Sequence, residues 1–260
     1  MTKHPSRNRS NSPGFRGRQH DNQGAAGWLW GQHAVAAALA NPRRQLRRLV
    51  ATRNGRQRLG AFADKAEDIA PPALDALLPV GAVHQGLAAQ FAPLEPCQIE
   101  DLIAAGLNRV AVLDQVSDPH NLGAIFRSAA AFGVGAIILQ TRNAPPITGI
   151  VAKTAAGAIE TVRECRAVNL ARAIEQLGEA GYHTIGMAGE GRARIDRAIA
   201  GATRVAIVLG AEGSGLRPGV AKACAEIAHI PMQPGMESLN VSNAAAIAFY
   251  EAARLATPVA

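Results

Sequence analysis

From residue 108 onward, short apolar runs alternate with longer segments whose apolar positions recur every three or four residues. The short runs are typical of buried strands, and the longer segments are typical of helices. The predicted strands are 109–116, 135–140, 160–165, 182–188, 203–210 and 227–232, and the predicted helices are 121–132, 149–158, 168–180 and 240–256. Strands that alternate with helices form parallel sheets, so this part predicts an α/β domain whose ligands bind beyond the carboxyl ends of the strands.

The pattern before residue 108 predicts a smaller α/β module. Its predicted elements are a helix over 31–40, a strand over 45–52, a helix over 57–69 and short strands over 80–94. Proline disfavours helix in the residue before it, so Asn41-Pro42 and Pro71-Pro72 are expected to end the two helices. A linker with prolines then leads into a further helix near residue 98.

Composition divides the chain into four parts. Residues 1–27 hold almost no large apolar side chains and predict a disordered basic tail, because they cannot offset chain entropy by burial. The Arg-rich, acid-poor tail also suits an organellar transit peptide, although the apolar face of a transit helix is missing. The small module is expected over 28–97, a linker over 98–107 and the large α/β domain over 108–260.

Basic residues are concentrated in the tail and in one local run. The net charge is +7, and residues 43–58 contain seven arginines and no acid. Arginine binds phosphates with two donors and stacks on bases, so such a cluster favours a nucleic-acid partner. The candidate RNA-binding residues are Arg43, Arg44, Arg47, Arg48 and Arg53. The alternative is a solvated basic face.

Cysteine usage and hydropathy indicate a compartment. Cys97, Cys165 and Cys224 are widely spaced and fit neither a disulfide framework nor a metal cluster, so a reducing cytosol is expected. The apolar runs fall short of the roughly 18 residues of a membrane span, and no secretory signal follows the basic start. We therefore expect a cytoplasmic protein with no membrane partner and no metal.

A single arginine interrupts the apolar stretch "NLGAIFRSAAAFG". Arg127 is the only charged residue between Asp118 and Arg142, so we expect a half-buried guanidinium that needs an anionic partner. That partner is a protein carboxylate, for which Glu212 is the natural candidate, or an RNA phosphate. In the alternative, the arginine reaches water along its aliphatic stem. Asn121 has a similar alternative as a helix cap.

Glycines follow a buried strand in "VAIVLGAEGSGLRPG". Gly210, Gly213 and Gly215 allow a ligand to approach the main chain, and Glu212 lies among them. The Lys-Ser/Thr ending of a P-loop is absent, and the spacing is not that of the dinucleotide fingerprint. The stretch therefore predicts a binding loop, with a tight turn and a solvated glutamate as the alternative.

Polar residues crowd the predicted start of the last helix. Ser238, Asn240, Ser242 and Asn243 exceed what one helix cap needs. Free backbone N–H groups lie at a helix start, so we expect a hydrogen-bonding site there. The alternative use of these residues is a subunit interface.

Three stretches together resemble a known family. In chain order, "NLGAIFRSAAAFG", "IVLGAEGSGL" and "IPMQPGMESLNVSNAAAIAFYE" resemble the three motifs of the SpoU RNA ribose 2′-O-methyltransferases, within the trefoil-knotted SPOUT superfamily. The resemblance covers roughly 108–257. The N-terminal "GQHAVAAALANPRRQLRRLVAT" and "VHQGLAAQ" resemble the small substrate-binding module of 23S rRNA guanosine 2′-O-methyltransferases.

The resemblance implies a C-terminal trefoil knot, a homodimer, and S-adenosyl-L-methionine (AdoMet) as cofactor. The implied cofactor-binding residues are Leu209, Gly210, Ile230, Met232 and Leu239. The implied catalytic residues are Asn121, Arg127, Glu212, Ser238 and Asn240. The implied function is 2′-O-methylation of a guanosine in 23S rRNA. The alternatives are a tRNA ribose methyltransferase, a non-catalytic RNA-binding ribosome-assembly factor, and an enzyme that binds the phosphate of a nucleotide through "GAEGSG".

Overall fold

The structure is a computed structural model that describes residues 27–142, 144–236 and 238–256. The predicted tail lies outside these residues apart from Gly27. The first sheet has the order β1-β4-β2-β3, in which β4 is antiparallel to β1 and β2, and β3 is parallel to β2. Its elements are β1 (Trp28–Trp30), α1 (Gln32–Ala40), β2 (Leu46–Ala51), α2 (Arg53–Arg56), a 3-10 helix (Gly60–Lys65), β3 (Glu67–Asp68), α3 (Pro71–Leu77) and β4 (Leu87–Phe91).

The predicted helix over 57–69 is wrong. The side chain of Thr52 caps the short α2 by accepting from the Gly55 N–H, and the chain then turns through the 3-10 helix into β3. The Arg56 guanidinium donates to backbone carbonyls of this turn and pairs with Asp68. Pro71 begins α3 instead of ending a helix, because the first helical position needs no N–H donor.

The second sheet is parallel throughout, as predicted, with the order β7-β6-β5-β10-β8-β11-β9. Its strands are β5 (Arg109–Leu113), β6 (Ala136–Gln140), β7 (Arg163–Ala167), β8 (His183–Met187), β9 (Ala193–Arg194), β10 (Val205–Leu209) and β11 (Glu226–His229). The helices of this part are α4 (Ile99–Ala104), α5 (Pro119–Ala131), α6 (Gly149–Ala155), a 3-10 helix (Ala158–Glu160), α7 (Leu170–Glu179), α8 (Ile195–Ile199), α9 (Pro218–Ala223) and α10 (Val241–Ala256). The sequence did not predict β9, α8 and α9, since each is too short to show a period.

Helices cover both faces of the parallel sheet. Along β5, Ala111 and Leu113 face one apolar core together with residues of α5, α6 and α10. Val110 and Val112 face a second core with residues of α4, α7 and α9. All five residues of β10 are buried at the centre of the sheet. This central strand therefore carries its following loop on a fully packed support.

The small module contacts the 3-10 helix and α6 of the larger part. Glu160 is buried and pairs with Arg44, whose guanidinium also lies over the Phe91 ring. Asn41 donates a further hydrogen bond to the Glu160 carboxylate. A Cβ at Gly149 would lie 1.9 Å from the Trp30 ring, so the start of α6 needs glycine against β1.

The expectation that the cysteines form no disulfide is wrong. The structure joins Cys97 to Cys165 across 68 residues of sequence. The Cys97 N–H donates to the Glu164 carbonyl, so the chain at Cys97 lies beside β7. The Cα atoms of Cys97 and Cys165 are 4.6 Å apart. Widely spaced cysteines carry no sequence signal for such a contact, because it depends on where the linker returns to the sheet edge.

No helix in the described ranges is long and apolar enough to cross a membrane.

Candidate cofactor and catalytic site

A cavity of about 1110 Å³ lies beyond the carboxyl ends of β8, β10 and β11. Most of its lining residues belong to four segments, which lie at the ends of β8 and β10, along and after β11, and around the start of α10. They are 187–192, 209–216, 226–232 and 238–244. The position agrees with the rule that open parallel sheets bind ligands at this edge.

The loop after β10 can take its shape only with glycine at one position. A Cβ at Gly210 would lie 2.2 Å from the Gly215 carbonyl carbon, because Ala211 and Gly215 bridge across the loop. Gly213 and Gly215 have φ of 80° and 64°, where a Cβ is disfavoured. The loop therefore presents main-chain atoms to the cavity at close range.

All five residues predicted to bind a cofactor line this one cavity. Leu209 and Gly210 lie at the end of β10, Ile230 and Met232 follow β11, and Leu239 precedes α10. The three segments that carry them are separated by up to 30 residues of sequence. The sheet order brings them together, because β8 alone separates β10 from β11.

Three predicted catalytic residues form a hydrogen-bonded cluster beside the cavity. Asn121 Nδ2 donates to Glu212 Oε1 at 3.1 Å, and Asn240 Nδ2 donates to Asn121 Oδ1 at 3.0 Å. Asn240 Nδ2 also donates to Glu212 Oε1, as does the backbone N–H of Val241 at 3.4 Å. We call Asn121, Glu212 and Asn240 the amide cluster.

Ser238 and Arg127 lie outside the amide cluster. Ser238 is exposed and lines the cavity. Arg127 is exposed on α5, in a stripe with His120, Ala124 and Ala131. It forms no hydrogen bond or ion pair with the residues that the structure describes.

The expectation of a half-buried Arg127 paired with Glu212 is therefore wrong within one chain. The apolar face of α5, with Leu122 and Ile125, turns toward the core and leaves Arg127 on the opposite side. The Glu212 carboxylate is taken up by the amide cluster.

Comparison with known proteins now identifies the family. The model of the SpoU rRNA Methylase family matches residues 108–250. The chain belongs to this family. A second model, described as RNA 2′-O ribose methyltransferase substrate binding, matches residues 28–97.

Relatives named as 23S rRNA methyltransferases are similar to this chain over two thirds of its length or more. The 23S rRNA (guanosine-2′-O-)-methyltransferase RlmB of Vibrio cholerae is 38% identical over 242 residues, which cover 87% of this chain and 96% of the relative. RlmB of Vibrio vulnificus is 42% identical over 179 residues, covering 67% and 72%.

Solved structures have the same fold. A putative RNA methyltransferase of the TrmH family from Porphyromonas gingivalis superposes with a TM-score of 0.71 at 26% identity, covering 92% of this chain and 94% of that one. The SpoU methyltransferase AviRb from Streptomyces viridochromogenes, in complex with AdoMet, has a TM-score of 0.74 at 22% identity, covering 87% and 89%.

One wall of the cavity beyond β8, β10 and β11 was not predicted from the sequence. Residues 187–192 face the glycine-containing loop and contribute Glu190 and Arg192. A Cβ at Gly191 would lie 2.5 Å from the Ala228 carbonyl carbon, and the Gly191 carbonyl oxygen lies 2.8 Å from His229 Nδ1. The signal was the stretch "GMAGEGR", whose glycines directly follow a strand.

A buried carboxylate that pairs with the residue after the glycine-containing loop 210–216 was also missed. Asp114, fully buried after β5, accepts from Arg217 Nε at 2.8 Å and from the Arg217 backbone N–H at 3.0 Å. Burial, with a further contribution from Asp114, raises the pKa of the nearby Cys224 thiol to about 12. Cys224 therefore stays protonated at neutral pH and is no nucleophile. The signal for Asp114 was a lone acid at the end of an apolar strand.

The arginines of residues 43–58 differ in exposure and in their partners, which the sequence alone does not indicate. Arg43, Arg47, Arg48 and Arg53 are exposed, and Arg48 pairs with Glu67 at the surface. The expectation that Arg44 faces RNA is corrected: its side chain is 6% exposed and is bound to Glu160. The acids that oppose these arginines lie outside 43–58, so the local sequence could not show them.

No group of three or more His, Cys, Asp or Glu side chains in the described ranges is arranged to hold a metal ion.

Proposed function

We propose that the protein transfers the methyl group of AdoMet to the 2′-hydroxyl of a guanosine ribose in 23S rRNA. The observation that carries the proposal is the amide cluster, which lies beside a cavity lined by all five predicted cofactor residues. Membership of the SpoU family and the relatives named 23S rRNA (guanosine-2′-O-)-methyltransferase support the substrate.

The cavity has the chemistry that AdoMet requires. Apolar side chains such as Leu209 and Ile230 suit the adenine ring, and main-chain groups at Gly210 can bind its polar edge. Glu190 and Glu226 supply negative charge toward an ammonium and a sulfonium. When bound, AdoMet supplies an electrophilic methyl group on a positively charged sulfur that serves as the leaving group, so the chain itself needs to provide alignment and removal of a proton.

The amide cluster is suited to orient the ribose. An amide nitrogen carries two hydrogens, so Asn121 can donate one to Glu212 and the other to a ribose oxygen. The Glu212 carboxylate accepts from both amides and fixes their orientation. Alignment of this kind supplies much of the rate of a displacement reaction. In the proposal, Ser238 on the cavity wall adds a further hydroxyl contact to the ribose.

Arg127 acts as an electrostatic catalyst in this proposal. A guanidinium loses its proton only above about pH 12, so the neutral form that could act as a base is scarce at pH 7. The charged side chain instead holds the 3′-phosphate of the target nucleotide and stabilises charge that develops on the 2′-oxygen. A phosphate oxygen or a water molecule then accepts the proton.

A homodimer is part of the proposal. Ile247, Tyr250 and Leu255 on α10 are 37%, 50% and 40% exposed, and Tyr250 packs edge-on against Phe132 at the end of α5. A second copy that covers this face would also cover the stripe with Arg127. Exposed apolar side chains gathered on one face are typical of such interfaces.

The small module is proposed to bind the RNA outside the target nucleotide. Arg43, Arg47, Arg48 and Arg53 form its exposed basic surface. We further propose domain boundaries of 1–27, 28–97, 98–107 and 108–260, as the sequence predicted, with a trefoil knot in the last domain. A cytoplasmic location follows from the rRNA substrate.

The test is methyl transfer from labelled AdoMet to unmodified 23S rRNA, with 16S rRNA and total tRNA in parallel, followed by digestion to nucleosides. We expect 2′-O-methylguanosine from 23S rRNA alone. Transfer to tRNA alone would overturn the substrate and keep the chemistry. Absence of AdoMet binding in calorimetry would overturn the proposal that the protein is an AdoMet-dependent enzyme.

A further inference from the structure

We propose that Asp114 is a positioning residue that clamps both ends of the cofactor loop 210–216, through Leu209 at one end and Arg217 at the other. The inference rests on the proposed function, because this loop forms one wall of the cavity assigned to AdoMet.

The backbone of Asp114 holds the start of the loop. Its N–H donates to the Leu209 carbonyl at 2.8 Å, which extends the pairing of β5 with β10 by one residue. The loop leaves the sheet directly after this bond. Its first residue, Gly210, is therefore tied to the position of Asp114.

The side chain of Asp114 holds the end of the loop. One carboxylate oxygen accepts from Arg217 Nε at 2.8 Å and lies 2.7 Å from the charged Nη2, and the other accepts from the Arg217 backbone N–H at 3.0 Å. Arg217 Nη2 also donates to Gln140 Oε1 at the end of β6. Two donors from one residue, the backbone N–H and Nε, fix both the main chain and the side chain at the point where the loop joins α9.

The contacts within the loop, such as the bridge between Ala211 and Gly215, do not fix its two ends, so a clamp at the ends adds to them. Glycines at 210, 213 and 215 permit many backbone conformations. Glu212 lies in the middle of the loop and orients Asn121 and Asn240. Loss of the contacts between the loop and Asp114 would therefore disturb both the cavity wall assigned to AdoMet and the amide cluster.

Because Asp114 is buried, its carboxylate depends on the hydrogen bonds that Arg217 donates. Asp114 is 0% exposed, and a buried carboxylate needs its hydrogen bonds satisfied. An asparagine at this position has one acceptor oxygen, so its amide N–H group would face an N–H donor of Arg217. The change Asp114→Asn therefore breaks the clamp with little change in volume.

The experiment compares wild type, Asp114→Asn and the milder Arg217→Lys, which keeps the charge and the backbone donor. Asp68→Asn is the matched control, because it makes the same change in an Arg–Asp pair that is exposed on the small sheet. Two measurements are made on each: AdoMet affinity by calorimetry, and hydrogen exchange of the ligand-free protein resolved to peptides over 210–217 and 205–209.

We expect Asp114→Asn to weaken AdoMet binding by about tenfold or more and to speed exchange in 210–217, with β10 protection unchanged. Arg217→Lys should give a smaller effect of the same kind, and Asp68→Asn none. Wild-type affinity and exchange in both folded variants would overturn the clamp, and so would equal loss of protection in the loop and β10. Exchange needs no cofactor, so a wild type that binds no AdoMet would refute the proposed function while the clamp is still tested.

Discussion

Asn121 and Glu212 are 91 residues apart in the chain, and a hydrogen bond of 3.1 Å joins Asn121 Nδ2 to Glu212 Oε1. The bond links the start of α5 to the loop after β10. It is possible because β5 and β10 are neighbours in the sheet and end at the same edge. The pairing gives the glutamate an orienting role in place of the arginine contact that the sequence indicated.

Removal of the Glu212 carboxylate should therefore slow transfer. In Glu212→Ala, both amides lose their common acceptor, and misplacement of a reacting group by about 1 Å costs on the order of 10²-fold in rate. We expect kcat to fall by about that factor in single-turnover assays. Glu175→Ala, which removes an exposed glutamate from α7 outside the cavity, is the matched control, and its kcat should stay near wild type. A wild-type kcat in Glu212→Ala would contradict the orienting role.

Replacement of Arg127 by Ala should abolish methyl transfer and leave AdoMet affinity unchanged, because the side chain is outside the cavity and is proposed to act on the RNA. Arg127→Lys keeps the charge and should retain partial activity. Arg172→Ala, another exposed helical arginine, serves as the control. Labelled-methyl transfer and calorimetry measure the two quantities. Turnover near wild type in Arg127→Ala would exclude Arg127 from catalysis.

The buried pair between Arg44 and Glu160 should stabilise the fold. Loss of one partner from a buried pair typically costs about 3–5 kcal/mol, so Arg44→Ala should lower the free energy of unfolding by about that amount. Arg47→Ala, at an exposed position in the same run, should change it by less than about 0.5 kcal/mol. Urea unfolding followed by circular dichroism measures both. Equal stability of the two variants would contradict the structural role of Arg44.

Cys224 should resist alkylation in the folded protein. Burial raises its pKa to about 12 from an ordinary value of 9.0, so the thiolate is scarce at pH 8.5. A folded pKa above the unfolded one also means that this group stabilises the fold below about pH 9 and that the contribution is lost as pH rises toward 12. Iodoacetamide labelling with mass spectrometry should show slow reaction of Cys224 in native protein and rapid reaction in guanidinium chloride. Rapid native labelling would contradict the raised pKa.

The link between Cys97 and Cys165 should stabilise the chain against unfolding. Closure of a loop of 68 residues is worth about 4 kcal/mol in the chain-entropy description. Reductant should therefore lower the Tm of the wild type. It should leave the Tm of Cys97→Ser unchanged. A wild-type Tm that does not respond to reductant would contradict a stabilising disulfide.

Local pattern by itself determined most of the elements of the larger part. The alternation of apolar runs with helical periods predicted the parallel sheet, because both signals depend on residues close in sequence. The three motifs also determined the family resemblance and the five residues that line the cavity. Where the local signals were short or ambiguous, as over 57–69 and at Pro71, the pattern predicted the wrong element.

Tertiary structure alone decided which distant groups meet. The order of strands placed Asn121 beside Glu212 and Asn240, set Arg127 on the exposed side of α5, and buried Asp114 under the loop that ends at Arg217. It also brought Cys97 to Cys165, and Arg44 to Glu160. Spacing along the chain carries no information on such contacts, because they depend on how strands pair and how helices cross the sheet between them.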